Sequence, residues 1–118
     1  MVTKFGKFCR KLRIERDEIL RDMAKVFNVT VSYLSAVENG VRAIPTGWKE
    51  ILIDAYNLTV NEIKELEMAI IDTNEEIKIK LRKGDEQKQE FALKLARKFD
   101  TLTEEEIDKI SKILQGGM

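Results

Sequence analysis

The chain contains no histidine and a single cysteine, Cys9, in 118 residues. Without them the usual metal clusters, cysteine–histidine pairs and histidine general bases are missing, so neither a metal site nor a cofactor is expected. One cysteine cannot build a disulfide framework, which makes a reducing cytoplasm the expected compartment. Cys9 itself reads as a small core residue. No apolar run reaches membrane-spanning length and no signal-peptide pattern opens the chain, so no membrane partner is expected. Carboxylates are plentiful, but they are interspersed with Lys and Arg as on solvated helix faces, and no enzymatic activity is expected. Internal repeats and low-complexity tracts are also lacking.

Net charge is absent too: 21 Lys and Arg balance 21 Asp and Glu. The distribution says more than the total. Residues 1–50 carry +4, residues 51–75 carry −5 and residues 76–118 carry +1. The length fits one domain, or a small domain with an appendage.

The most informative stretch is Leu20 to Asn39, LRDMAKVFNVTVSYLSAVEN. It reads as two short helices joined by a tight turn. Ala24 falls where a crossing helix leaves room only for a small side chain. Asn28 falls where the turn needs a left-handed backbone, which Asn tolerates better than most residues. Met23, Phe27, Val29, Leu34 and Val37 are the apolar positions that lock the pair together, and the Thr30 hydroxyl can cap the second helix. Val31, Ser32, Tyr33, Ser35, Ala36 and Asn39 are left to face outward. This is a helix-turn-helix layout, in which the second helix enters the DNA major groove.

The run V-T-x-S-Y-L-S-x-x-E-N-G, Val29 to Gly40, followed by Val41, Arg42 and Pro45, resembles the Xre/Cro/phage-repressor family of DNA-binding domains. The resemblance covers roughly Phe5 to Ile71. It implies an all-α, five-helix, lambda-repressor-like domain that binds double-stranded DNA. At matching positions it implies phosphate contacts by Thr30, Asn39 and Arg42, and base-facing roles for Val31, Ser32, Ser35 and Ala36. Tyr33 is placed either to reach a phosphate or to pack at the helix base. None of these base-facing side chains makes a bidentate Arg–guanine or Gln–adenine pair. Val31 and Ala36 can pack on thymine methyls, and each serine can make one hydrogen bond. The expected reader is modestly selective, tolerant of A·T and aided by DNA shape.

Two charges look misplaced. Arg13 stands beside an apolar stripe, and Glu38 lies near a helix C-terminus, where a carboxylate opposes the dipole. In the resembled family an Arg of the first helix pairs with the Glu of the E-N-G motif, which implies a structural ion pair between Arg13 and Glu38. The chain also departs from the family pattern. Ile19 and Leu20 occupy the positions of a polar cap and a phosphate-binding Gln. Asp17 is then the nearest capping candidate, one phosphate contact is lost, and Arg21 is the neighbouring substitute.

The remaining elements follow from periodicity. Thr3 to about Arg16 is a helix with Phe5, Phe8, Cys9 and Leu12 as its buried stripe and Lys4, Lys7, Arg10 and Lys11 outside. Asn39-Gly40 ends the recognition helix and Val41 to Thr46 is a loop. Pro45 marks the start of a fourth helix, about Thr46 to Tyr56, with Trp48, Ile51, Leu52 and Ala55 apolar and Trp48 a core or interface residue. Thr59 and Glu62 form a capping box for a fifth helix, with Ile63, Leu66, Met68 and Ile70 inward.

An extension, 73–118, follows a domain at 1–72. Over Glu75 to Arg82, Ile77, Ile79 and Leu81 alternate with Lys78, Lys80 and Arg82, which favours a short strand, although the residues also suit a helix. A helix to about Phe99 carries Phe91, Leu95 and Phe99, with Ala92 and Ala96 beside them. Thr103 and Glu106 cap a last helix bearing Ile107, Ile110 and Leu114, and residues 115–118 are expected to fray. A lone strand has no partner in its own chain. The expectation is therefore a homodimer through residues 75–114, with the strands of two copies paired antiparallel and the helices covering that sheet. The duller arrangement folds these helices back on the domain and leaves a monomer. The function expected is a sequence-specific, repressor-like regulator of transcription. The other candidate is a protein-binding module, such as an antitoxin or antirepressor, on the same fold, which the acidic fourth and fifth helices favour.

Overall fold

Seven α-helices and one short 3-10 turn make up the computed structural model, which describes residues 1–116. The protein is all-α, and none of its described helices is long and apolar enough to cross a membrane. It divides into two units, one from Met1 to Lys78 and a second beginning at Ile79.

The first unit is organised by α1 (Lys4–Glu15). Thr3 caps it, its hydroxyl accepting from the Gly6 N–H at 3.0 Å. Phe5, Phe8, Cys9 and Leu12 recur at three- and four-residue spacing and are all buried. The helix lies along α5 (Val60–Asn74). There the Phe5 N–H, an orphan donor of the first turn, finds the Thr73 hydroxyl at 3.2 Å, and the Thr59–Glu62 capping box closes the other end of α5.

Beside α1 pack α3 (Val31–Glu38) and, against α3, α2 (Leu20–Phe27). The link is tight because Asn28 adopts φ 56°, ψ 45°. That left-handed residue lets the Val29 N–H reach back to the Ala24 carbonyl at 3.0 Å. Met23, Ala24, Phe27, Leu34 and Val37 are buried and Val29 is half-buried. The α2 start differs from expectation. Asp17 is not a cap: it stands at φ 54° just past the end of α1. Asp22 turns back to accept the Ile19 N–H at 2.8 Å instead, so the orphan donor is satisfied from inside the helix.

Gly47 at φ 92° delays α4 to Trp48–Tyr56, two residues later than Pro45 suggested. Trp48 is core: Phe27 stacks on it with ring centroids 3.8 Å apart and planes 12° apart. Full burial of a large apolar side chain contributes roughly 1.5–3 kcal/mol, so Phe5, Met23, Leu34, Leu52 and Leu66 supply much of the driving force. Met68, expected inward, is 57% exposed. Ala69, next to it, is buried instead, and its small side chain suits the close α1–α5 approach.

The expected strand is absent. Among the described residues there is no strand, and residues 76–82 form neither helix nor ladder. Ile77, Ile79 and Leu81 are exposed. Alternation orients side chains, but only a second strand can satisfy the backbone groups, and the described residues offer none. With no strand there is also no shared sheet for the last helices to cover.

The second unit holds α6 (Glu86–Lys98), the 3-10 turn Phe99–Thr101 and α7 (Glu104–Leu114). Asp85 caps α6, and the Thr103–Glu106 capping box starts α7. Neither helix contains a buried residue. Gln115 is the C-cap of α7. The fraying expected over 115–118 falls in part on residues 117 and 118, which lie outside the described residues.

Candidate nucleic-acid interface

Two sides of α3 have opposite characters. Its inner side, Leu34, Val37 and Glu38, is buried. Its outer side begins with Thr30, whose hydroxyl accepts from the Tyr33 N–H at 3.1 Å and starts the helix. Val31 and Ser32 are exposed; Tyr33, Ser35, Ala36 and Asn39 are half-buried. No charged side chain projects from this outer side, because the helix's one acid is turned inward. Arg42 is exposed in the loop beyond, and its guanidinium lies 4.7 Å above the Tyr33 ring, a cation–π contact that orders the loop against the helix.

Glu38 explains how α3 is held. Its carboxylate takes both guanidinium nitrogens of Arg13, at 2.5 and 3.0 Å, and lies 3.7 Å from the Arg10 Nε. Arg13 is 7% and Glu38 1% exposed, so the fork is desolvated. Burial disfavours the Arg13 charge, but the hydrogen bonds and field of Glu38 outweigh it and raise its pKa above the ordinary value. The Glu38 backbone is engaged as well. Its carbonyl accepts from the Thr3 N–H at 3.0 Å and the Thr3 hydroxyl at 3.1 Å, which satisfies an orphan acceptor at the end of α3.

Gly6 makes this approach possible and was not singled out from sequence. A Cβ at that position would lie 2.2 Å from the Glu38 carbonyl oxygen. The available signal was a glycine inside an apolar-periodic helix, where it costs about 1 kcal/mol relative to Ala unless a close contact requires it. Cys9 packs beneath the same junction. Burial first, and the Glu38 charge second, push its thiol pKa up, so it stays neutral.

The expected phosphate contacts separate into different groups. Arg42 is free, as are Arg21 and Lys25 on the exposed side of α2: none forms an ion pair among the described residues, whereas Lys11, Arg16 and Lys49 are held by Glu65, Glu62 and Glu67. Arg21 and Lys25 are four residues apart and share one helical face. Asn39 is partly committed, its amide donating to the Ser35 carbonyl at 2.8 Å, and so it caps α3. Leu20 is half-buried against the core. A polar residue there would lose that packing.

A groove of about 660 Å³ opens elsewhere on the first unit, between the Ile44–Gly47 loop and α5. Ile44, Pro45, Ile70 and Ile71 give it an apolar floor, and the Lys49–Glu67 pair, at 2.6 Å, stands on its rim. Among the described residues no group of three or more Cys, Asp or Glu is arranged to hold a metal ion. Compared with protein-family models, with curated proteins and with solved structures, the chain matches none of them.

Proposed function

We propose that the protein is a sequence-specific regulator that binds double-stranded DNA, with α2 and α3 as a helix-turn-helix, α3 in the major groove and α1–α5 as a phage-repressor-type domain. The observation that carries the reading is the outer side of α3. It is uncharged, made of small polar and apolar side chains, and accompanied by three free cations, Arg21, Lys25 and Arg42. Small neutral side chains let a helix sit deep against base edges, and the cations supply the phosphate term that dominates affinity. Val31 and Ala36 meet thymine methyls, Ser32 and Ser35 donate or accept one hydrogen bond each, and Thr30 keeps a hydroxyl proton for a phosphate. Base discrimination from so few groups is modest. A palindromic site with half-sites about 34 Å apart, read by two copies, doubles the contacts.

The test is selection from a random duplex pool followed by titration at several salt concentrations. Affinity should fall steeply with salt. Arg42→Ala should weaken all sequences alike and flatten the salt slope by about one, while Ser32→Ala should shift preference at one base position by about 1 kcal/mol. Parental binding by both variants would remove α3 from the groove. One observation favours a second reading, a protein-binding module: the apolar groove beside α5, rimmed by both acids and lysines. A salt-insensitive complex with a protein, and no duplex binding, would favour it.

A further inference from the structure

In one chain the second unit leaves most of its large apolar side chains uncovered. Phe91, Leu93, Phe99, Ile107, Ile113 and Leu114 are 49–79% exposed, and neither α6 nor α7 buries a single residue. Helices of 13 and 11 residues are marginal in water on their own, and their stability must come from a covered apolar face. Each has one. By helical spacing, Phe91, Ala92, Leu95 and Phe99 share a side of α6, and Ile107, Ile110 and Leu114 share a side of α7.

Charge identifies the cover. The acids Glu86 and Glu90 on α6 are outnumbered by Lys88, Lys94, Arg97 and Lys98, so that helix carries +2. On α7, Glu104, Glu105, Glu106 and Asp108 outnumber Lys109 and Lys112, so it carries −2. Lys94 and Lys98 border the apolar side of α6; Glu104 and Asp108 border that of α7. Among the described residues no ion pair joins these opposite charges, and the one interaction across the two helices is the weak field of Lys98 on the Glu106 carboxylate. The ion pairs of α7 are its own, Glu105 with Lys109 and Asp108 with Lys112, and among the described residues none joins α7 to α6. Contact between the two helices is slight, and it leaves Ala92, Leu95 and Ile110 only half-buried.

We propose that the cover is a second copy of the same chain, with α6 of each copy against α7 of the other in an antiparallel four-helix bundle. A two-fold axis satisfies both charge matches at once, since the same α6–α7 contact occurs twice. The area is adequate: the uncovered parts of Phe91, Phe99, Ile107 and Leu114, with what remains open of the half-buried Leu95 and Ile110, give on the order of 600 Å² per copy, the lower end for a stable interface. The bundle replaces the shared sheet that the sequence suggested. It stands independently of DNA recognition, because it would pair copies of a protein-binding module equally well, and its test contains no DNA.

The full chain should sediment as a dimer at tens of micromolar. Lys94→Glu with Lys98→Glu makes α6 acidic, and Glu104→Lys with Asp108→Lys makes α7 basic. Each variant alone should show a dimer Kd raised at least about tenfold. An equimolar mixture of the two should recover dimer as a heterodimer, because each α6 then meets an α7 of opposite charge on the other chain. These positions are exposed, and far-ultraviolet circular dichroism checks that the first unit stays helical. A monomeric full chain, including one that floats with anionic lipid vesicles, would overturn the bundle. So would a mixture that stays monomeric while one chain carrying all four changes regains its helicity, since that result places the α6–α7 contact inside a single chain.

Discussion

The two units start from equally good helical patterns and end in different states. In α1 the apolar residues at positions 5, 8, 9 and 12 are buried almost completely; in α6 those at 91, 95 and 99 remain in water or half-covered. Capping does not separate them, because Thr59–Glu62 and Thr103–Glu106 form the same reciprocal capping box with nearly the same distances. The difference is one of number. Five helices can surround a common interior, with α1 against α5 and α2–α3 closing the side. Two helices leave every apolar face open on one side. Local signals set where helices begin, while burial requires enough elements to enclose a volume.

The largest expected effect in the first unit is at its closest backbone approach. Gly6→Val should cost about 3 kcal/mol or more in urea unfolding, because the Glu38 carbonyl occupies the space that the new side chain needs. The corresponding change at Gly84, where nothing lies within 4 Å but φ is +87°, should cost only the backbone strain, about 1–2 kcal/mol, and should leave the main unfolding transition in place. Equal losses at the two glycines would break the contrast between the units.

Next comes the buried fork. Arg13→Met should destabilise by about 3 kcal/mol, since it leaves Glu38 desolvated and unpaired, and adding Glu38→Leu should recover much of the loss. Single and double variants that melt with the parent protein would show both charges to be hydrated.

The capping boxes give the finest test. Thr59→Ala should lower the stability of the first unit by about 1 kcal/mol; Thr103→Ala should reduce helicity without moving that transition. The Thr59 N–H bond to Glu62, and the Thr103 N–H bond to Glu106, hold both carboxyl pKa values below the ordinary range. Their contribution is therefore fully present above the unfolded carboxylate pKa and is lost as pH falls through the lower folded value. Acid titration of stability in Glu62→Gln against the parent should show a shallower decline below about pH 4.5 in the variant.

Legibility followed the range of the interaction. The left-handed Asn28, the Thr30 cap and the two capping boxes were all readable, because each involves residues within four positions of one another. Trp48 reads as a core or interface residue from its position on an apolar face, and the structure buries it in the core. Asp17 is no cap because it closes α1 in a left-handed conformation, and the Ile19 N–H goes to Asp22 inside α2. Met68 was misread because its neighbour Ala69, not the larger side chain, fits between α1 and α5. The strand at 75–82 failed for want of any partner, which alternation cannot supply. Of the side chains expected to face outward from α3, Val31 and Ser32 are exposed while Tyr33, Ser35, Ala36 and Asn39 are half-buried, and neither the tethering of Asn39 to Ser35 nor the stacking of Arg42 on Tyr33 was legible.

By itself the sequence determined the helices, the caps at Thr30, Thr59 and Thr103, the turn at Asn28 and most of the apolar sides, since these depend on backbone preferences and hydrogen bonds within one or two turns. Only the tertiary structure decided that Gly6 admits the Glu38 carbonyl, that Thr3 and Thr73 satisfy orphan groups 35 and 68 residues away, and that α6 and α7 stay uncovered. Those outcomes depend on which surfaces meet in space, and a steric fit or a covered face is a property of the pair and not of either segment.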